Sequence, residues 1–419
     1  MRPTIPNLWM GSEPEQGHYG FHEELSDGRH ILGRDRAGVN KLFFGVDDDG
    51  TLHSSNYVAD LLDQGMPYSR VSSVPPGSTI VIDSSTREYE IHRPAPLTIG
   101  GTSAKDSARK ARAHMNEVFD RLAEAFPRGP IYVAFSGGLD STVILNLALQ
   151  RWDDVVAVTF GVEDENGNVR ESEDLVATEA LAKHFGVRRE VVTATPKDML
   201  DSIDEVLVKG QDFRDFNVHC AMVNYQVARG IRRLSGGAPA VVLTGDGMNE
   251  LTSDYSQVEY QGRTHYALPR MRPSAMRRFL VEGLDAGDRE VGIYAAHGIQ
   301  CIQPYLMALE PYLGLDASIV DRPMGKQLFA RLTWGARLPE MVYNRPKVRA
   351  QEGSSGTPTG SMAVALDAGF DSDGLRRRFC ELLGITDTQA KRFVRGGHYE
   401  TLDELPLFPR ERRDLAVIG

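Results

Sequence analysis

Hydrophobic and polar positions change their period twice along this chain. Up to about residue 100 they alternate in short runs, His18–Glu23, Arg29–Gly33, Lys41–Val46, Thr51–Ser55, Thr79–Asp83 and Tyr89–His92, with Asp48-Asp49-Gly50 and Pro75-Pro76-Gly77 as punctuation. Period-two runs broken by turn residues predict strands. Helical spacing is confined to a possible turn at Tyr57–Leu62. Residues 1–100 therefore read as a small, mostly β unit, and Pro94–Gly101 as a linker. Ala108, Ala111, Met115, Val118, Phe119, Leu122 and Phe126 then recur every three or four residues. That stripe predicts an amphipathic helix lying on a sheet.

From residue 130 apolar runs without alternation are separated by helical stretches. The predicted strands are Ile131–Phe135, Val155–Phe160, Arg189–Thr193 and Ala240–Thr244; the predicted helices are Ser141–Trp152, Glu173–Phe185, Pro196–Val208 and Val218–Leu234. Strands hydrophobic on both faces and joined by helices predict an α/β fold with a parallel sheet covered on both sides. The second domain thus spans residues 101–419, with its α/β core over 130–255 and a mainly helical remainder over 275–419.

Composition narrows the class. The chain has 419 residues, 41% hydrophobic and 25% charged, globular values that at roughly 100–200 residues per domain fit two to three domains. Lys and Arg number 47 against 58 Asp and Glu, a net charge of −11. So acidic a chain has no bulk attraction to nucleic acid or anionic membranes, while a local basic pocket for phosphates remains open. Cys220, Cys301 and Cys380 are too scattered for a disulfide framework, and no spacing suggests structural zinc. With no signal-like start and no apolar run near about 18 residues, the reading is a soluble, cytoplasmic protein.

The segment carrying chemistry is Ser136-Gly137-Gly138-Leu139-Asp140-Ser141, between an apolar strand and an apolar helix. Glycines let the backbone curl so that its amides point inward, and a following helix adds its positive end, which makes an anion cradle. Ser136 and Ser141 can donate hydroxyls to phosphate oxygens. Asp140 would repel phosphate unless a cation intervenes, so it predicts Mg²⁺. No Gly-Lys-Ser/Thr follows, so this is neither a Walker loop nor the dinucleotide fingerprint.

This string resembles the PP-loop of the ATP pyrophosphatases, which cleave ATP between the α- and β-phosphates. Further segments narrow the resemblance to the asparagine synthetase and β-lactam synthetase superfamily. Gly28–Phe44 (GRHILGRDRAGVNKLFF) and Val74–Ser78 (VPPGS) are similar to the asparagine synthetase glutaminase domain, and Val242–Leu251 (VLTGDGMNEL) to a synthetase loop. Ala295–Leu306 (AAHGIQCIQPYL) is similar to a further family segment, and Arg345–Gly356 (RPKVRAQEGSSG) resembles one of β-lactam synthetase. The matches run in family order from residue 18 to 356.

The resemblance implies a truncated, inactive glutaminase-like (Ntn-type) domain before an ATP-dependent synthetase domain. The family's glutamine-hydrolysing cysteine follows Met1, where this sequence has Arg2, and no cysteine precedes Cys220; without that nucleophile, glutamine hydrolysis is not expected. The implied chemistry is amide formation from a small-molecule carboxylate and an amine or ammonia, using ATP and Mg²⁺ and passing through an acyl-adenylate. Ser136, Gly137, Gly138, Asp140, Ser141 and Lys326 would bind the phosphates, and Phe160 and Gly245 the adenine side. Lys347 would stabilise the reacting carbonyl, a contribution of about 3–4 kcal/mol by analogy with oxyanion holes. The tyrosine of the β-lactam synthetase dyad is replaced by Asp246, and its glutamate falls near Asp288 or Glu290. Asp246, Asp288 and Glu290 are therefore the candidate bases. The family's second metal-binding aspartate aligns with Asn249, which leaves Asp246 or Glu250 to join Asp140 at the metal. The resemblance to β-lactam synthetase suggests a role in specialised metabolism.

Overall fold

A computed structural model describes residues 18–83, 88–92, 97–164, 166–282, 289–353 and 360–394. The amino-terminal unit holds strands β1 (Gly20–Glu24), β2 (Arg29–Arg34), β3 (Phe43–Val46), β4 (Leu52–Ser55), β5 (Ser72–Ser73), β6 (Thr79–Asp83) and β7 (Glu88–His92), with one helix, α1 (Val58–Asp63). They form two antiparallel sheets, ordered β1-β2-β6-β7 and β4-β3-β5. Leu32, Leu42, Phe44, Leu52, Val74, Ile80 and Ile82, drawn from both sheets, make a separate small core. The opposite sides of the same loops join the main core instead: Val39, Phe43, Tyr57, Val58 and Leu61 pack there. Alternation along the strands is what lets one short unit serve two cores.

The stretch read as a linker is docked. The Gly100 amide bonds to Leu313 O at 2.8 Å and that of Thr102 to Gly314 O at 2.8 Å, leading into helix α2 (Ala104–Ala125), whose Ser103 cap accepts from the Asp106 amide. Residues 93–96 lie outside the described set.

The second unit runs β8 (Ile131–Ala134), α3 (Leu139–Ala148), β9 (Val155–Val162), α4 (Glu173–Phe185), β10 (Arg188–Ala194), α5 (Pro196–Asp201), α6 (Ile203–Gly210), α7 (Asp215–Leu234) and β11 (Ala240–Leu243). Then come α8 (Met248–Thr252), a hairpin of β12 (Val258–Tyr260) and β13 (Arg263–His265), α9 (Pro273–Glu282), α10 (Arg289–Ala296) and β14 (Ile299–Ile302). Shorter helices follow, among them Gly325–Trp334. Five strands make a parallel sheet ordered β10-β9-β8-β11-β14. All eight residues of β9 are buried, as expected of a strand covered on both faces. The fifth strand, β14, falls where the sequence reads as helical. Its four residues are too few to carry a period, and only pairing with β11 makes them extended.

Chain order reverses at β8: β9 and β10 lie on one side, β11 and β14 on the other. The loops leaving β8 and β11 diverge there, which opens a crevice at the carboxyl ends of the strands. No helix among the described residues is long and apolar enough to cross a membrane.

Candidate active site

A cavity of about 210 Å³ occupies that crevice. One wall is the loop 136–138 and the first turn of α3. Gly137 takes φ +70°, a region favouring glycine, and a Cβ there would lie 3.0 Å from the Ala177 Cβ. Ser136 Oγ accepts from the Gly138 amide at 3.3 Å, and the Ser136 amide donates to Ser141 Oγ at 3.3 Å. The helix starts at Leu139, two residues earlier than its pattern suggests, so Asp140 and Ser141 sit in its first turn. The free amides of that turn face the cavity end of the loop and favour an anion. Gly245, leaving β11, presses on this turn: a Cβ would come within 2.9 Å of the Ser141 amide nitrogen.

Two cations serve the loop from the far side of the chain. Lys326 is buried, and its Nζ donates to Asp140 Oδ2 at 2.5 Å and Asn249 Oδ1 at 2.7 Å, with Asp254 Oδ2 at 3.2 Å. Burial would lower its pKa, but the attraction of Asp140 and Asp254 outweighs burial and keeps the ammonium charged. Lys347 Nζ stands 3.7 Å from the same Asp140 oxygen; burial and the neighbouring Lys326 ammonium lower its pKa. Arg345 braces the loop from outside. Its Nη1 donates to Ser136 O at 2.7 Å and its Nη2 to Asp174 Oδ1 at 2.5 Å.

The opposite wall carries a carboxyl pair. Glu290, on the first turn of α10, is buried; Oε1 accepts from Asn224 Nδ2 at 2.6 Å, and Oε2 from Thr244 Oγ1 at 2.9 Å and Gln303 Nε2 at 3.1 Å. Burial raises the Asp246 pKa, but Arg289, the neighbouring Glu290 side chain and Lys347 bring it below the usual carboxylate value. Arg289 Nη2 lies 3.6 Å from Asp246 Oδ1 and donates to Cys220 Sγ at 3.1 Å. Glu250 turns away and accepts from the Tyr255 hydroxyl; burial and the charge of Asp246 push its carboxyl up.

The contacts around Asp140 bear on the metal assignment. The short α8 aims Asn249 at Lys326, while Glu250 accepts from Tyr255 and Asp246 stands beside Arg289. The acidic residue brought to Asp140 through Lys326 is Asp254. Among the described residues no group of three His, Cys, Asp or Glu side chains is arranged to hold a metal ion by itself. A hard cation nonetheless fits at Asp140: its Oδ1 is buried without a hydrogen-bond partner, and carboxylate and amide oxygens are the donors magnesium takes.

Ser136, Asp140, Ser141, Phe160, Gly245, Asp246, Asn249, Glu250, Glu290 and Lys347 all line the one cavity. Gly137 and Gly138 shape the loop, and Lys326 stands behind Asp140. Asp288 lies outside the described residues. Three site residues escaped the sequence reading: Asp254, Arg289 and Arg345. Arg345 adjoins Lys347 in the motif through Pro346, and Arg289 adjoins Glu290; nearness along the chain was the available signal.

Residues 123–296 match the sequence model of the asparagine synthase family. The chain is 22% identical to the glutamine-hydrolyzing asparagine synthetase of Rattus norvegicus over 352 residues, covering 77% of this chain and 61% of that one. It is 24% identical to asparagine synthetase B of Escherichia coli (strain K12) over 275 residues, covering 60% and 46% respectively. The match therefore spans about half to three fifths of these relatives' length. Among solved structures, NMN synthetase from Francisella tularensis is 10% identical with a TM-score of 0.32, covering 74% of this chain and 100% of that chain.

Within the matched segment fall the glycine loop at 136–138, Phe160, the turn Gly245–Glu250 and the Glu290 wall. Lys326, Arg345 and Lys347 come from beyond the matched segment, folded back onto Asp140 and Ser136. Ala134, Phe135, Val158, Phe160, Val223 and Val227 give the same cavity its apolar lining.

Proposed function

We propose that this chain is an ATP-dependent carbon–nitrogen ligase that adenylates a small carboxylate and transfers the acyl group to an amine or ammonia. The observation carrying this reading is the convergence, on one cavity, of the glycine loop and first turn at 136–141, Lys347 with Lys326 behind Asp140, and the carboxyl side chains of Asp246 and Glu290. ATP lies with its base between Phe160 and the end of β8, and its phosphates on Ser136–Ser141. The substrate carboxylate attacks the α-phosphorus, the α–β bridge breaks, and pyrophosphate leaves with the electron pair. Lys326 and the first-turn amides of α3 neutralise that leaving charge. A magnesium ion held by Asp140, with Asp254 and the Asn249 amide oxygen, would supply charge neutralisation at the phosphates. Lys347 then meets the oxyanion formed when the amine adds to the acyl-adenylate. An amine attacks only when neutral, and Asp246, ionised beside Glu290, is placed to accept its proton. AMP departs and the amide remains.

The Arg345–Gly356 resemblance supports ring closure within one molecule and a role in specialised metabolism; the Val242–Leu251 loop supports use of ammonia. The deciding experiment is product analysis of ATP turnover with Mg²⁺ across carboxylates offered alone, with ammonia and with amines, with Lys347→Ala as control. AMP and pyrophosphate dependent on one carboxylate, lost in Lys347→Ala, support adenylation. A product lighter by one water from the carboxylate alone indicates ring closure. ADP and phosphate as products would overturn the proposal.

A further inference from the structure

One of the donors that hold Glu290 is itself held by the amino-terminal β unit. Gln303, fully buried, gives its side-chain amide to Glu290 Oε2 at 3.1 Å. Its backbone amide donates to Nε2 of His18 at 3.0 Å. His18 is buried at 2% exposure, and a ring nitrogen that accepts an amide hydrogen must be unprotonated. A second tie reaches α10 itself: the Tyr57 hydroxyl donates to Gly292 O at 2.5 Å, two residues beyond Glu290. Around it, Lys41 Nζ caps the end of α6 at Gly210 O, 2.6 Å away, and Gln211 exchanges hydrogen bonds with Asn56 and Val58. Helices α6 and α10 touch closely enough there that a Cβ on Gly292 would lie 2.2 Å from Lys209 O.

These contacts are more specific than two units resting together. Apolar packing would tolerate sliding, whereas directed hydrogen bonds at both ends of the Glu290 turn fix its rotation and depth. We infer that the amino-terminal β unit is a positioning device for the site, with His18, through Gln303, and Tyr57, through α10, setting where the Glu290 carboxyl meets Asp246. This rests on the ligase reading for the meaning of Glu290, but its test needs no substrate. His18 and Tyr57 touch neither the phosphate loop nor Lys326, so nucleotide binding provides an internal control.

The test follows the titration of Glu290 in the full chain labelled with [5-¹³C]glutamate, the resonance being assigned by its loss in Glu290→Gln. In His18→Phe, which keeps a ring but has no acceptor, the midpoint moves by about one pH unit. In His18→Gln, whose carbonyl can accept from the Gln303 amide, it returns to the wild-type value. Tyr57→Phe removes a single oxygen and moves the midpoint in its own right, which keeps the inference testable if His18→Phe does not fold. MgATP affinity stays within about twofold throughout. An unmoved midpoint in His18→Phe or in Tyr57→Phe overturns the inference, as does a shift that His18→Gln fails to reverse. Failure of the ligase reading would appear in turnover products and leave this titration as it is.

Discussion

The close approach of Gly245 to the phosphate loop permits a sharp test. In Gly245→Ala the new methyl would lie 2.9 Å from the Ser141 amide nitrogen, 3.0 Å from the Asp140 carbonyl carbon and 3.1 Å from the Asp140 Cβ. Ordinary van der Waals contact begins near 3.4 Å, so one side must retreat by about half an ångström. Neither can do so by rotating a side chain, since the atoms struck belong to backbone and Cβ. The residue's own φ is not in the left-handed region, so the effect is steric crowding alone. Overpacking of this kind costs about 1–3 kcal/mol. Because Asp140 and Ser141 form the cradle, the cost falls on nucleotide binding as a loss of about 5- to 150-fold in MgATP affinity. Titration calorimetry with a non-hydrolysable ATP analogue measures it, with thermal melting alongside. Affinity within about twofold of wild type, together with an unchanged melting temperature, would refute the claim that this contact shapes the loop.

Arg345→Met removes both the Ser136 carbonyl contact and the Asp174 ion pair, and MgATP affinity falls about tenfold by calorimetry; Arg345→Lys does not restore it, because one ammonium cannot span both acceptors. Lys326→Met leaves Asp140 and Asp254 facing each other without their shared cation, a loss of about 3–5 kcal/mol on denaturant unfolding. Millimolar Mg²⁺ recovers part of that loss if Asp140 is a metal ligand; an unchanged unfolding midpoint would sink the assignment. His22 is buried and its pKa is pushed down to about 4 from 6.5. The fold excludes its proton, so its contribution is complete above pH 6.5 and fades as pH falls from 6.5 towards 4. Between neutral pH and about pH 5 the wild type should lose about 2 kcal/mol more stability than His22→Gln.

Much of the architecture follows from local pattern. Unalternating runs such as Val155–Val162 can be buried only on both faces, so they predict the parallel sheet without knowledge of their neighbours. Glycines and hydroxyls between strand and helix at 136–141 likewise declare an anion cradle, since the required amides and helix end are local. Lys326 and Lys347 are different. In isolation they are unremarkable lysines, identified through the resemblance of their surroundings, and their common partner Asp140 is nearly two hundred residues away.

What only the tertiary structure decided are the pairings that close over long loops. Strand β14 is extended because β11 offers it hydrogen bonds, and no property of Ile299–Ile302 alone requires it. That Asp254 stands beside Lys326 while Glu250 faces Tyr255 depends on how α8 turns, which spacing does not encode. Arg289 and Arg345 find their acceptors on other elements, which no local pattern announces. The sequence by itself determined most of the strands and helices and the glycine-rich turn at 136–141, because those depend on neighbours one to four residues apart. Which carboxylate is ionised, which faces a cation and which is held in place from the amino-terminal unit depends on distances across the fold, where the field of each charge is set by groups remote in sequence.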